Sequence, residues 1–85
     1  MNIRIDKETE GDDVVLHVAG RLAVDAISQL TDACESMEDH YVLDLSKLMF
    51  ADDAGAEEIR RLREGGADIR GASSFIELLI SDETA

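Results

Sequence analysis

The sequence predicts an α/β fold: a mixed β-sheet with helices packed on it, in the order β-β-α-β-α-β-α. Three observations predict it. Two apolar runs near the N-terminus, residues 1–7 and 14–19, flank an acidic, glycine-containing stretch, which is the pattern of an antiparallel hairpin. Apolar residues then recur at helical spacing over residues 23–37 and again after residue 52. A short apolar strand follows each of these helices, and a strand after a crossover helix pairs in parallel with its predecessor.

Each element has a local reason. Met1, Ile3 and Ile5 alternate with Asn2, Arg4 and Asp6, as in a half-buried strand. Residues 8–13 hold Gly11 and four acids and read as a turn. The β-branched run 14–19 is the second strand, ending at Gly20. His17 lies in that run without a second histidine or cysteine close in sequence, so it reads as a packing or surface residue. Ala26, Ile27, Leu30, Ala33, Cys34 and Met37 form one apolar stripe of a helix over 23–37. Cys34, the sole cysteine, sits on that stripe and reads as a small buried hydrophobe; alone it allows neither an internal disulfide nor a cysteine zinc cluster. His40, in the polar link 38–40, is expected in solvent.

Residues 41–45 are a strand, and 46–51 read as a loop with Leu48 and Phe50 pointing inward. Asp52 and Asp53 open the second helix, where a carboxylate can accept unpaired backbone N–H groups and faces the positive end of the helix dipole. Glu57 and Glu58 precede Arg61 by four and three residues. Arg60, Arg61 and Arg63 sit near the negative end, and Gly65 and Gly66 stop the helix. Residues 67–70 form a last short strand. Ser73 or Ser74 caps a final helix carrying Phe75, Ile76, Leu79 and Ile80, and residues 81–85 are expected to fray.

A chain of 85 residues suits one domain, 1–85, with a modest core. Its formal net charge of −12 sets it against phosphate backbones and anionic lipid, so neither nucleic acid nor membrane insertion is expected. A protein with a basic face is the partner that charge favours. Tyr41, Phe50 and Phe75 are the only aromatic residues, so the core must be aliphatic. No basic-then-apolar leader is visible and the apolar runs are too short to span a bilayer, so the expected location is the cytoplasm.

Within this frame one segment carries a resemblance. Val42-Leu43-Asp44-Leu45-Ser46, followed by Leu48-Met49-Phe50 and then Asp52-Asp53-Ala54-Gly55, resembles the signature of STAS domains, the family of anti-sigma factor antagonists. Val18-Ala19-Gly20-Arg21-Leu22 and Ile69-Arg70-Gly71-Ala72-Ser73 resemble the flanking family steps. The resemblance implies a SpoIIAA-like mixed sheet and a protein-binding regulator. In sigma-regulating members, the last serine before the motif glycine is phosphorylated by a kinase that doubles as an anti-sigma factor. Position by position, the family aspartate falls on Asp52, its first serine on Asp53, the phosphorylated serine on Ala54 and the glycine on Gly55. Ala54 has no hydroxyl, so phosphotransfer at that position is impossible. The chain also ends before the family's usual last strand and helix, which leaves a sheet edge as an expected partner or dimer surface in a monomer or weak homodimer.

If Gly55, Ile59 and Leu62 form the buried line of the second helix, then Ala54, Glu57, Glu58 and Arg61 share an exposed flank. The candidate partner-binding face is therefore Asp52, Asp53, Ala54, Gly55, Glu57, Glu58 and Arg61. The resemblance implies a partner of the anti-sigma factor or GHKL-type serine kinase class, or another STAS-binding regulator. Alternatives within the family are a regulatory subunit of a lipid-transport ABC ATPase and a stress-complex scaffold. From another class, Asp52 and Asp53 are similar to the acidic pocket of a receiver phosphoacceptor, which also needs a lysine late in the chain; Lys7 and Lys47 are the only lysines. Sequence spacing assembles no catalytic set, no cofactor site and no metal cluster, so an enzyme is not expected.

Overall fold

β1 (Ile3–Glu10) and β2 (Asp13–Leu22) pair antiparallel, with Ile3 opposite Gly20 and Glu10 opposite Asp13. Only Gly11 and Asp12 link them. Gly11 has φ of 62°, and among the described residues no non-glycine residue has a positive φ, so the glycine takes the left-handed first position of a two-residue hairpin turn. The structure, a computed structural model, describes residues 3–37 and 40–80; the expected strand residues Met1 and Asn2 and the tail 81–85 lie outside the described residues. The expected turn over 8–13 is corrected to these two residues. Lys7, Glu8, Thr9 and Glu10 are all exposed, so this part of the edge strand has no apolar face to announce it.

A 3-10 turn (Val24–Ala26) leads into α1 (Ile27–Glu35). The single helix expected over 23–37 is thus tighter at its start and shorter at its end. Neither Ala23 nor Ala26 offers a side-chain cap, and a short i→i+3 turn satisfies groups that a capping side chain would otherwise meet.

β3 (Tyr41–Ala51) lies parallel to β2 on one side and to β4 (Asp68–Arg70) on the other, giving the order β1-β2-β3-β4. The expected loop over 46–51 is corrected to strand. Two register shifts place an extra residue in β3: His17 pairs with Asp44 but Ala19 with Lys47, and Gly20 pairs with Leu48 but Arg21 with Phe50. Such bulges break the in-out alternation. Ser46 and Lys47 are both exposed, and Leu48 is turned back into the core.

α2 (Asp53–Glu64) and α3 (Ser74–Ile80) complete the fold. Leu16, Val18, Leu43 and Leu45 from the strands form one core cluster with Leu30 and Cys34 of α1, Ile59 of α2, and Ile76 and Ile80 of α3. One sheet face is therefore covered by all three helices. Val15 and Val42 are buried outside that cluster, and their neighbours His17 and Asp44 alternate with Leu16 and Leu43. They belong to the opposite face, whose cover is made of charged side chains. Burial raises the Cys34 thiol above its ordinary pKa, while a hydrogen bond with the Tyr41 hydroxyl pulls the other way. α3 is held against α2 by Arg60, which donates to the Leu79 carbonyl at 2.7 Å, and by Arg63, which donates to that of Ile80 at 3.1 Å. No helix among the described residues is long and apolar enough to cross a membrane.

Candidate partner-docking site

The sequence-predicted face gathers where β2 and β3 end and α2 begins. Asp52 is the N-cap of α2, with extended backbone. Its Oδ1 accepts the Gly55 N–H at 2.8 Å and its Oδ2 accepts the Val24 N–H at 3.1 Å. Its own N–H donates to the Leu22 carbonyl at 3.1 Å, and its carbonyl accepts the Ala56 N–H at 2.8 Å. Asp52 thereby ties together the end of β2, the 3-10 turn and the first turn of α2. A side-chain cap of this kind contributes about 0.5–2 kcal/mol.

Gly55 lets α2 come this close. A Cβ there would stand 2.4 Å from the Leu22 carbonyl oxygen and 3.0 Å from Leu22 Cγ. The first contact is with backbone, which cannot swing aside, so the position admits glycine alone at this helix-to-strand distance. Gly55 is buried and cannot itself touch a partner.

Asp53 and Glu57 are exposed, Ala54 is half-buried and Arg61 is exposed. Glu58 is not on the exposed flank; it is only 8% exposed. α1 packs on that side of α2, so Thr31 Oγ1 donates to Glu58 Oε2 at 2.9 Å. Arg61 donates to both carboxylate oxygens, from Nε at 3.1 Å and from an Nη to Oε2. The Glu58 carboxylate raises the Arg61 guanidinium above its ordinary pKa. Arg61 thus pairs with Glu58 rather than Glu57, and the pair fastens α2 to α1. Ile27, Ala54, Glu57, Arg60, Arg61 and Glu64 border a shallow groove beside it.

Sequence reasoning missed the apolar and aromatic rim of this tip. Val24 is 68% exposed and Met49 is 77% exposed. Val24 donates its N–H to Asp52, and Met49 stands at the second register shift of β3. Phe50, expected to point inward, is half-buried. It stacks on Phe75 with ring centroids 6.4 Å apart, and the Arg21 guanidinium carbon lies 4.6 Å from its centroid. The motif at 18–22 marked Arg21; nothing in the spacing marked the bulge that turns Met49 out. A cavity of about 660 Å³ lies elsewhere, between β4 and α3, bordered by Ile69, Ala72, Ser74 and Leu78. No nucleophile–base pair appears at the α2 tip among the described residues, and both oxygens of Asp52 are engaged by backbone N–H groups.

No protein-family model matches this chain, and no curated protein matches it. Solved structures do. An antisigma-factor antagonist STAS domain from Rhodobacter sphaeroides aligns over 86% of this chain and 94% of its own, at 19% identity with a TM-score of 0.62. A DUF3478-family protein with a SpoIIAA-like fold from Shewanella loihica PV-4 aligns over 91% and 73%, at 22% identity with a TM-score of 0.57. A structure of Mglu aligns over 76% of this chain, at 30% identity with a TM-score of 0.58; the chain spans only 18% of the length of that protein. The chain has the STAS, SpoIIAA-like fold.

Proposed function

We propose that this STAS-fold chain is a non-catalytic regulatory module that binds another protein through the N-terminal tip of α2. The observation that carries this reading is the build of the tip. Asp52 is fixed by four hydrogen bonds. Around it stand small Ala54, exposed Asp53 and Glu57, and exposed Val24 and Met49. Rigid placement lowers the ordering cost of association, and exposed apolar side chains beside charged ones are what a protein interface combines.

The tip carboxylates and the net charge of −12 suit a partner with a basic face. The STAS likeness supports a cytoplasmic partner of the anti-sigma factor or GHKL-type serine kinase class. With Ala54 in the phosphoacceptor position, that binding is not switched off by phosphorylation there. Arg61 joins the surface through its exposed guanidinium; Glu58 and Gly55 serve it from beneath by holding α2 in place.

The test is Ala54→Arg. Tagged wild-type chain should retain a GHKL-type kinase or anti-sigma factor from lysate of the source cells, identified by mass spectrometry. A54R should weaken that binding by at least about 30-fold, the loss expected at the centre of an interface, with circular dichroism and Tm unchanged. Undiminished binding by a folded A54R would remove the α2 tip as the contact.

A further inference from the structure

The sheet face opposite the helices carries a second constellation. Glu8 and Glu10 are two residues apart on β1 and so project to the same side. His17 on β2 projects there too. One ligand atom from each of Glu8, Glu10 and His17 lies within 4.8 Å of the others. The imidazole is flanked on both nitrogens: Nε2 is 2.7 Å from Glu8 Oε1, and Nδ1 is 3.7 Å from Asp44 Oδ2. A neutral imidazole can donate from only one nitrogen. In the Nε2–H tautomer a neutral ring donates to Glu8; in the Nδ1–H tautomer the Nε2 lone pair is free to ligate a metal ion shared with Glu8.

We propose that Glu8, Glu10 and His17 bind a divalent transition-metal ion of the zinc class, with Asp44 as the positioning residue that orients the His17 ring. The ligand types fit: one imidazole and two carboxylates suit a borderline ion rather than calcium or magnesium, which prefer all-oxygen sites. A carboxylate that accepts the far N–H of a metal-binding histidine is the recurrent outer partner of such sites; Asp44 Oδ2 stands 3.7 Å from Nδ1 and takes that role on a small approach of the ring. Asp44 is 8% exposed and is itself fixed, accepting the Ser46 N–H at 2.9 Å and Arg70 at 3.0 and 3.2 Å.

The distances ask for little movement. Tetrahedral ligands of zinc at about 2.0–2.1 Å stand about 3.3 Å apart, so Glu8 and His17 would part slightly and Glu10 would close in. Glu10 meets Arg70 at 3.4 Å, longer than the about 2.7–2.9 Å of a strong charge-assisted bond. It can turn to the metal while Arg70 stays on Asp44. The ligands sit on two paired strands joined by a two-residue turn, a stiffer support than a loop. The spacing from Glu8 to His17 gave no motif, because only the hairpin register brings them together.

The test uses the whole chain, stripped with chelator and titrated with zinc chloride. Calorimetry should show one saturable zinc per chain. Glu8→Gln, Glu10→Gln and His17→Gln should each weaken it at least tenfold, with folding verified by circular dichroism. Imidazole nitrogen resonances of His17 should shift at lower zinc than those of His40, whose Nε2 pairs with Asp68 at 2.9 Å and serves as the reference. Zinc at ten times its Kd should raise the wild-type Tm by about 5–10 °C and leave that of H17Q unmoved. The proposal fails if the variants bind like wild type, or if His17 and His40 titrate together, which would mean diffuse attraction to an acidic surface. Absence of saturable heat would also overturn it, leaving the 2.7 Å contact of His17 and Glu8 as an ordinary hydrogen bond. Should H17Q fold poorly, E10Q, at an exposed hairpin position, decides the matter alone.

Discussion

Asp44 concentrates several demands in one side chain. It is buried at the middle of the central strand, which by itself would raise its carboxyl pKa. The Ser46 N–H and hydroxyl and the Arg70 guanidinium outweigh that burial and hold the group below the ordinary carboxylate range. A carboxyl of lower pKa in the folded state stabilises the fold in full above the unfolded value of about 3.9. The contribution is lost as pH falls through the lower folded value. Asp44→Asn should therefore lower stability at pH 7 by about 1–3 kcal/mol, the cost of leaving buried partners poorly met. It should also lose less stability than wild type on acidification from pH 5 to pH 2. Urea titrations across that range measure both, and parallel slopes for the two proteins would contradict the assignment. Glu58 shows what single residues conceal. Its helical position placed it beside Ala54 and Glu57, but its burial depends on Thr31 of another helix, a contact no spacing encodes. Asp52 was legible because capping is a local demand with few residue solutions; Gly55 was legible only as part of the buried line, since the close approach of Leu22 that requires it joins distant segments.

Among the elements, those with their own periodic signal were readable and those shaped by neighbours were not. α2 begins at Asp53 and stops at Gly65 because cap, apolar stripe and terminal glycine agree. The second half of β3 read as loop because its two bulges put Ser46 with Lys47, and Met49 with Phe50, out of alternation. The last strand residues of β1 read as turn because nothing apolar covers them. α3 is the element most dependent on others. Seven residues are too few for a stable isolated helix, so its packing and its end contacts must hold it. Arg60 and Arg63 reach the Leu79 and Ile80 carbonyls from α2, placing positive charge at the C-terminal end of its described residues. The double variant Arg60→Ala, Arg63→Ala should cost about 1–2 kcal/mol. Amide exchange should show α3 losing protection before α2 and β3; uniform protection across the three would mean that Ile76 and Ile80 alone secure it.

For the molecule as a whole, charge and topology pull in different directions. A chain of 85 residues with a net charge of −12 repels itself when compact. The acids crowd on β1, the hairpin turn and the α2 tip, and arginines from α2 and β4 answer only some of them. Raising sodium chloride from about 0.02 to about 0.5 M shortens the screening length from roughly 20 Å to roughly 4 Å. It should raise Tm by about 3–6 °C in the absence of divalent ions. A Tm that falls with salt would show that the ion pairs, not the repulsion, dominate. The fold tolerates this load because its core is aliphatic and continuous through all three helices. That core also fixes where the one tyrosine goes. Tyr41 starts β3 with its hydroxyl against the sulfur of Cys34 near the end of α1, and burial pushes its ionisation above the usual phenol range. With no tryptophan in the chain, intrinsic emission excited beyond the phenylalanine band comes from this single ring beside a quenching thiol. Separation of α1 from the sheet therefore brightens the protein, so the molecule carries its own unlabelled optical gauge of that one junction.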